Sequence, residues 1–144
     1  MNAVYMPVRP AKTHQIIARQ ILINLTDKLN LKEWQPIQEA ALRDDDEKSL
    51  SADITVFDRE ETAKVCIEIF KKPFSDNAKR KRYEELIDYY PDLQEIFFVV
   101  YRPLLEYYDY EIQGWYKITP QNEVIEESDY SDCLGMGVGV FTKG

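Results

Sequence analysis

The 144-residue chain contains two cysteines, a single histidine and five glycines. Cys66 and Cys133 form no C-x-x-C pair, and His14 has no second histidine to join it, which excludes disulfide scaffolds and zinc sites of the usual Cys/His kind. Long apolar runs are missing too. Nothing approaches the roughly 18 residues needed to span a bilayer, and the opening MNAVYMPVRPAKTH has no hydrophobic core of the signal-peptide kind, so a cytoplasmic location without membrane contact is expected. A basic excess is also absent. The net charge is −8 with a pI near 4.7, unlike a generic polyanion binder. The glycines in GMGVGVF (Gly135–Phe141) do not spell G-x-G-x-x-G and have no strand-to-helix context, so they predict a last strand rather than a phosphate loop.

What the chain does have is core-forming material. It is 44% hydrophobic and 31% charged, with ten Tyr, six Phe and two Trp, the composition of one folded domain over 1–144. Ala18, Leu22, Leu25 and Leu29 repeat at helical spacing, with Ile21 widening the stripe and Thr13 as cap, predicting a helix over Thr13–Leu29. Glu33–Leu42 reads as a strand that Pro36 confines to a sheet edge, and Asp44–Glu47 as a solvated acidic loop. ADITVF (Ala52–Phe57) and KVCIEIF (Lys64–Phe70) read as an antiparallel hairpin, the second run buried on both faces. Ser75 or Asp76 caps a helix that runs to about Tyr90, before Pro91. At about 100° per residue, Lys79, Tyr83, Leu86 and Tyr90 share its inward stripe, whereas Lys81 points away. EIFFVVY (Glu95–Tyr101) predicts another strand, and Leu105–Glu111 and Gly114–Ile118 two more. This order defines an α/β or α+β fold, one mixed sheet with helices packed on it.

Glu68 is the anomaly of the pattern, an acid in the middle of VCIEIF. An ionised carboxylate buried there costs several kcal/mol unless it is paired, hydrogen-bonded or bound to metal. If the hairpin closes on Glu60–Glu61 as a two-residue turn, Asp53 falls opposite Glu68. Directly paired Cβ atoms lie about 4.5–5.5 Å apart and like charges there repel. A divalent cation between the two acids would remove both penalties, and Mg²⁺ accepts one or two carboxylates together with waters and phosphate oxygens. Lys79 lies in the helix that follows the Glu68 strand, from which it could neutralise the pair or orient a water.

Plainer readings stand beside these. Glu68 could form a buried salt bridge with a lysine or arginine, and Asp53 could be a turn or capping acid. Lys79, Arg80, Lys81 and Arg82 could be a solvated helix face, and His14 a structural residue. Tyr107, Tyr108, Tyr110, Trp115 and Tyr116 could stack on bases or simply pack. Ser75 and Ser131 have no His–Asp partners in triad order.

The run from Ser51 to Tyr101 resembles the PD-(D/E)XK nuclease superfamily, and within it the Uma-two family of restriction-endonuclease-like proteins. The helix beginning at His14 is similar to that family's H-x-x-I helix, ADITVF to its "PD" strand with Ala52 in place of proline, and VCIEIFKKPFS to its E-V-L-S strand. DNAKRKRY is similar to its D…K…Y segment, LQEIFFVVY to its E-Y-W-V-V-D strand, and SDCLGMGVGVF to its closing element. The resemblance implies a restriction-endonuclease-like mixed sheet of four or five strands flanked by helices, with additional antiparallel C-terminal strands. It also implies a Mg²⁺- or Mn²⁺-dependent endonuclease site. Asp53 and Glu68 then bind the metal, the backbone carbonyl of Ile69 completes its shell, and Lys79 serves catalysis, because the usual E-x-K position holds Phe70. Lys71, Lys72 and Lys81 remain alternatives for that lysine.

Two functions follow as expectations, a metal-dependent endonuclease acting on DNA, or a catalytically inactive nuclease fold serving as an interaction module. In the second, the acidic C-terminal half is the protein-binding surface; a homodimer is a further expectation. Charge by segment locates where DNA could dock. Residues 1–70 carry −3 and residues 84–144 carry −10, but residues 71–83, with six basic groups against one acid, carry +5. That segment immediately follows Glu68.

Overall fold

The computed structural model of the protein describes residues 12–38, 52–72, 74–105 and 108–139. Helix α1 (Lys12–Lys28) buries Ala18, Ile21 and Leu25 of the expected stripe together with Ile17, while Leu22 is half-buried and Leu29 is buried just past the helix; Lys12 is already helical, so Thr13 lies inside it. Strand β1 (Trp34–Gln38) carries Pro36 and sits at the sheet edge, where its missing N–H does least harm. The remainder of the expected strand, from residue 39, lies outside the described residues, as does the acidic run Asp44–Glu47.

Strands β2 (Ile54–Asp58) and β3 (Ala63–Lys71) form the expected antiparallel hairpin, and helix α2 (Asp76–Tyr89) crosses over to β4 (Glu95–Pro103), which runs parallel to β3. Ser75 caps α2, its hydroxyl accepting the Ala78 N–H at 3.1 Å. The two expected strands after β4 are in fact one, β5 (Tyr110–Ile118), paired antiparallel to β4. Gly114, expected to open the second of them, is instead an interior strand residue across from Val100, beside a register shift, and a Cβ on it would come within 2.8 Å of the Tyr116 hydroxyl oxygen. It leaves room for a folded-over ring.

Short strand β6 (Glu126–Glu127) completes a six-stranded sheet ordered β1-β2-β3-β4-β5-β6, one or two strands more than the resemblance implies. Strands β7 (Tyr130–Ser131) and β8 (Met136–Gly137) form a separate hairpin, so the expected last strand is two residues long as far as the described residues show. The architecture is therefore mixed α+β, a sheet with one parallel pair, flanked by helices, with added antiparallel C-terminal strands.

Alternation along β3 and β4 divides the interior between two faces. Ile67, Ile69, Phe97, Val99 and Tyr101 pack with α1, while Cys66, Ile96 and Phe98 pack with Tyr83 and Leu86 of α2. The β7–β8 hairpin is fastened to the α1 face through a second buried acid. Glu95 accepts from the Ser131 hydroxyl at 2.6 Å and from the Cys133 N–H at 3.0 Å, and Lys117 lies 3.6 Å away. No helix among the described residues is long and apolar enough to cross a membrane.

Candidate functional site

Asp53 stands just before β2, where the hairpin's regular pairing ends at Ile54 and Ile67. The pairing sum behind the expected Asp53–Glu68 neighbourhood is kept by Thr55 with Cys66 and Ile54 with Ile67, one step short of the two acids, although the turn is not the two-residue one expected. The Asp58 N–H donates to the Thr62 carbonyl around a three-residue loop, and an extra residue on β3, Lys64, then restores the register for Val56, Thr55 and Ile54. Two irregularities cancel, and Asp53 comes beside Glu68, whose carboxyl accepts a hydrogen bond from the Asp53 main chain.

Asp53 Oδ2 accepts the Ile69 N–H at 2.7 Å. Its other oxygen lies 3.0 Å from His14 Nε2, an ion-pair distance, but the ring nitrogen is not aligned for a hydrogen bond and has no such partner. Tyr101 approaches the same histidine edge-on with ring centres 6.4 Å apart, and burial followed by the Asp53 charge raises its phenol. α1 thus delivers the single histidine to the acid of β2.

The Glu68 side chain is turned toward α2 and only 5% exposed. Burial first, then the charge of Asp53, push its carboxyl well above the usual range, against the opposing pull of Arg82. Arg82 Nη2 donates to Glu68 Oε2 at 2.9 Å, and Nη1 donates to Glu85 Oε1 at 3.1 Å. The buried salt bridge is thus present, and its cation is Arg82. In sequence Arg82 lies about 60° of helical rotation from Lys79, and that neighbouring direction, toward the Glu68 strand, is the signal that could have singled it out.

Lys79 is buried as its place on the stripe predicts, yet its ammonium is not turned to the carboxylates. Nζ donates to the Phe74 carbonyl at 2.9 Å, lies 3.4 Å from Asp76 Oδ1, and faces the rings of Tyr116 at 4.6 Å and Phe74 at 5.4 Å. This corrects the expectation that Lys79 neutralises the acidic pair. Lys71 and Lys81 are exposed, and the Lys72 ammonium donates to Gln113 Oε1 at 3.2 Å. The aromatic cluster divides. Trp115 is core on the α1 face, the Tyr110 hydroxyl donates to Gln20 Oε1 at 3.1 Å, Tyr116 lies on the α2 face, and Tyr107 is outside the described residues.

Among the described residues no three His, Cys, Asp or Glu side chains converge as a metal group. Two hard carboxylates suffice for Mg²⁺, which keeps most of its waters. Residues in a strand send N–H and C=O to the same side, so the Ile69 carbonyl, like its N–H, lies on the Asp53 side of β3. That donor set fits a magnesium-like ion, whereas Cys66, buried and with its thiol pushed up by burial and by Glu68, offers nothing to a soft one. No protein-family model matches the chain, and no curated protein matches its sequence.

Proposed function

We propose that the protein is a divalent-cation-dependent endonuclease of the PD-(D/E)XK type, hydrolysing phosphodiester bonds in DNA in the cytoplasm. The observation carrying this reading is the placement of Asp53 and Glu68 at one end of the β2–β3 hairpin, where Asp53, one residue beyond the last pair, is bonded through Oδ2 to the N–H of Ile69, the neighbour of Glu68. The helix–three strands–helix–strand order that presents them supports it. Asp53, Glu68 and the Ile69 carbonyl would hold Mg²⁺ or Mn²⁺, which when bound offsets the repulsion of the acids and lowers the pKa of an attacking water. The chain itself supplies the rest. Asp53 is held in place by the Ile69 N–H, Glu68 is oriented by Arg82, and His14 stands beside Asp53.

The interaction-module reading has its own support, because Arg82 and the Ile69 N–H already satisfy both acids without a cation. Its surface would be the acidic C-terminal half. Plasmid nicking separates the two. The nuclease reading expects Mg²⁺- or Mn²⁺-dependent nicking that falls at least about a hundredfold in Asp53→Asn and Glu68→Gln, together with a rise in melting temperature on cation titration. Neither nicking nor a thermal shift with either cation would sink it in favour of the module.

A further inference from the structure

On the face of β3 that carries Glu68, Phe70 follows at the alternate position, and at Lys72, one residue past the strand's end, a cleft of about 450 Å³ opens between the start of α2 and strands β4 and β5. Lys72, Phe74, Ser75, Lys79, Gln113 and Tyr116 line it. We propose that this cleft is a subsite for one nucleotide of a nucleic-acid strand, its phosphate taken by Lys72 and Lys79 and its base set against Tyr116. The proposal rests on the nuclease reading, since a strand seated here would run along the β3 side that carries Glu68.

Charge and partners carry it. Lys79 is 5% exposed; its shorter hydrogen bond is to the neutral Phe74 carbonyl at 2.9 Å, its longer one, at 3.4 Å, is to the mostly exposed Asp76, and two ring faces complete its surroundings. Lys72 is likewise held by the neutral Gln113 amide. Two other cations of the described residues differ. Arg82 and Lys117 each meet a carboxylate at 3.0 Å or less. The nearest acid beyond the amide is Glu111, whose oxygen accepts from Gln113 Nε2 at 3.1 Å and is already shared with Arg102. The cleft therefore holds two cations that an incoming anion would meet largely unneutralised, inside the +5 segment of a −8 chain. A positive groove with an aromatic wall is what sequence-tolerant strand binding uses. The wall depends on Gly114, whose missing side chain leaves space for the Tyr116 hydroxyl.

Fluorescence anisotropy of a fluorescein-labelled single-stranded DNA decamer, in EDTA and at about 20 mM salt, tests the site without catalysis. Lys72→Glu is expected to weaken binding at least about tenfold and to flatten the salt slope by about one contact. Lys79→Met, checked for folding by circular dichroism, should act in the same direction. Gly114→Ala, which displaces the Tyr116 ring without changing charge, should weaken binding about threefold or more. Lys81→Glu makes the same charge change on the exposed side of α2 and should leave affinity within about twofold. Equal losses in Lys72→Glu and Lys81→Glu, or no binding by the unaltered protein, would overturn the subsite. Nicking with a decamer affinity unmoved by Lys72→Glu removes the subsite and leaves the nuclease; Lys72-dependent binding without nicking does the reverse.

Discussion

Glu68 and Arg82 occupy places that neither would hold alone. The Glu68 carboxyl, whose ordinary value is 4.5, is pushed up to about 8 by burial and by Asp53. The folded protein therefore keeps a proton that the unfolded chain gives up across this interval. The associated stability is complete below about pH 4.5 and is lost as pH rises through the folded value. Glu68→Gln, neutral at every pH, lacks this dependence. Melting temperatures from pH 5 to about 8 should fall more steeply in the unaltered protein than in Glu68→Gln, and parallel curves would contradict the assignment. Both acids were legible in the sequence, because a charge inside VCIEIF has few explanations and pairing arithmetic names its neighbour. Arg82 and His14 were not. Helical periodicity gives a direction but not the partner waiting there, and α1 reaches Asp53 only once both have packed on β3.

Among the elements, the β2–β3 hairpin shows most plainly what local sequence leaves out. Its turn has no Asn-Gly or Asp-Gly signal, and Glu61 takes up the left-handed conformation at φ 65° that such a glycine would supply. A side chain there is strained, so Glu61→Gly should stabilise the protein by about 0.5–1 kcal/mol in chemical denaturation. A destabilised variant would mean that the glutamate makes a compensating contact. The cap of α2 was readable from Ser75, since capping is chemistry within four residues. The unity of β5 was not. Gly114 carries the ordinary mark of a turn, and its real reason, the Tyr116 ring lying over it, is a contact that residue type alone does not announce. The alternation that assigns each strand residue to a face nevertheless came through, because burial on two sides forces it.

At the scale of the whole fold, α1 and α2 close opposite faces of one sheet, and the C-terminal hairpin is clamped to the α1 face by Glu95 and Lys117. Only the β3–β4 pair is parallel among the strand pairs of the described residues, so it needs the long α2 crossover, whereas the neighbouring pairs along the sheet are antiparallel. That difference orders events in time. Contacts distant in sequence close late because loop entropy must be spent first. Arg82 stands no farther along the chain from Glu68 than Asp53 does, so loop length alone does not order these two contacts. What separates them is that the Arg82 contact needs α2 docked against the sheet, whereas Asp53 adjoins the ladder of its own hairpin, and the counter-charge is therefore expected to arrive with helix docking. Arg82→Met should accordingly speed unfolding while leaving the refolding rate within about twofold. Stopped-flow chevrons decide it, and slowed refolding would mean that the crossover is already docked at the barrier.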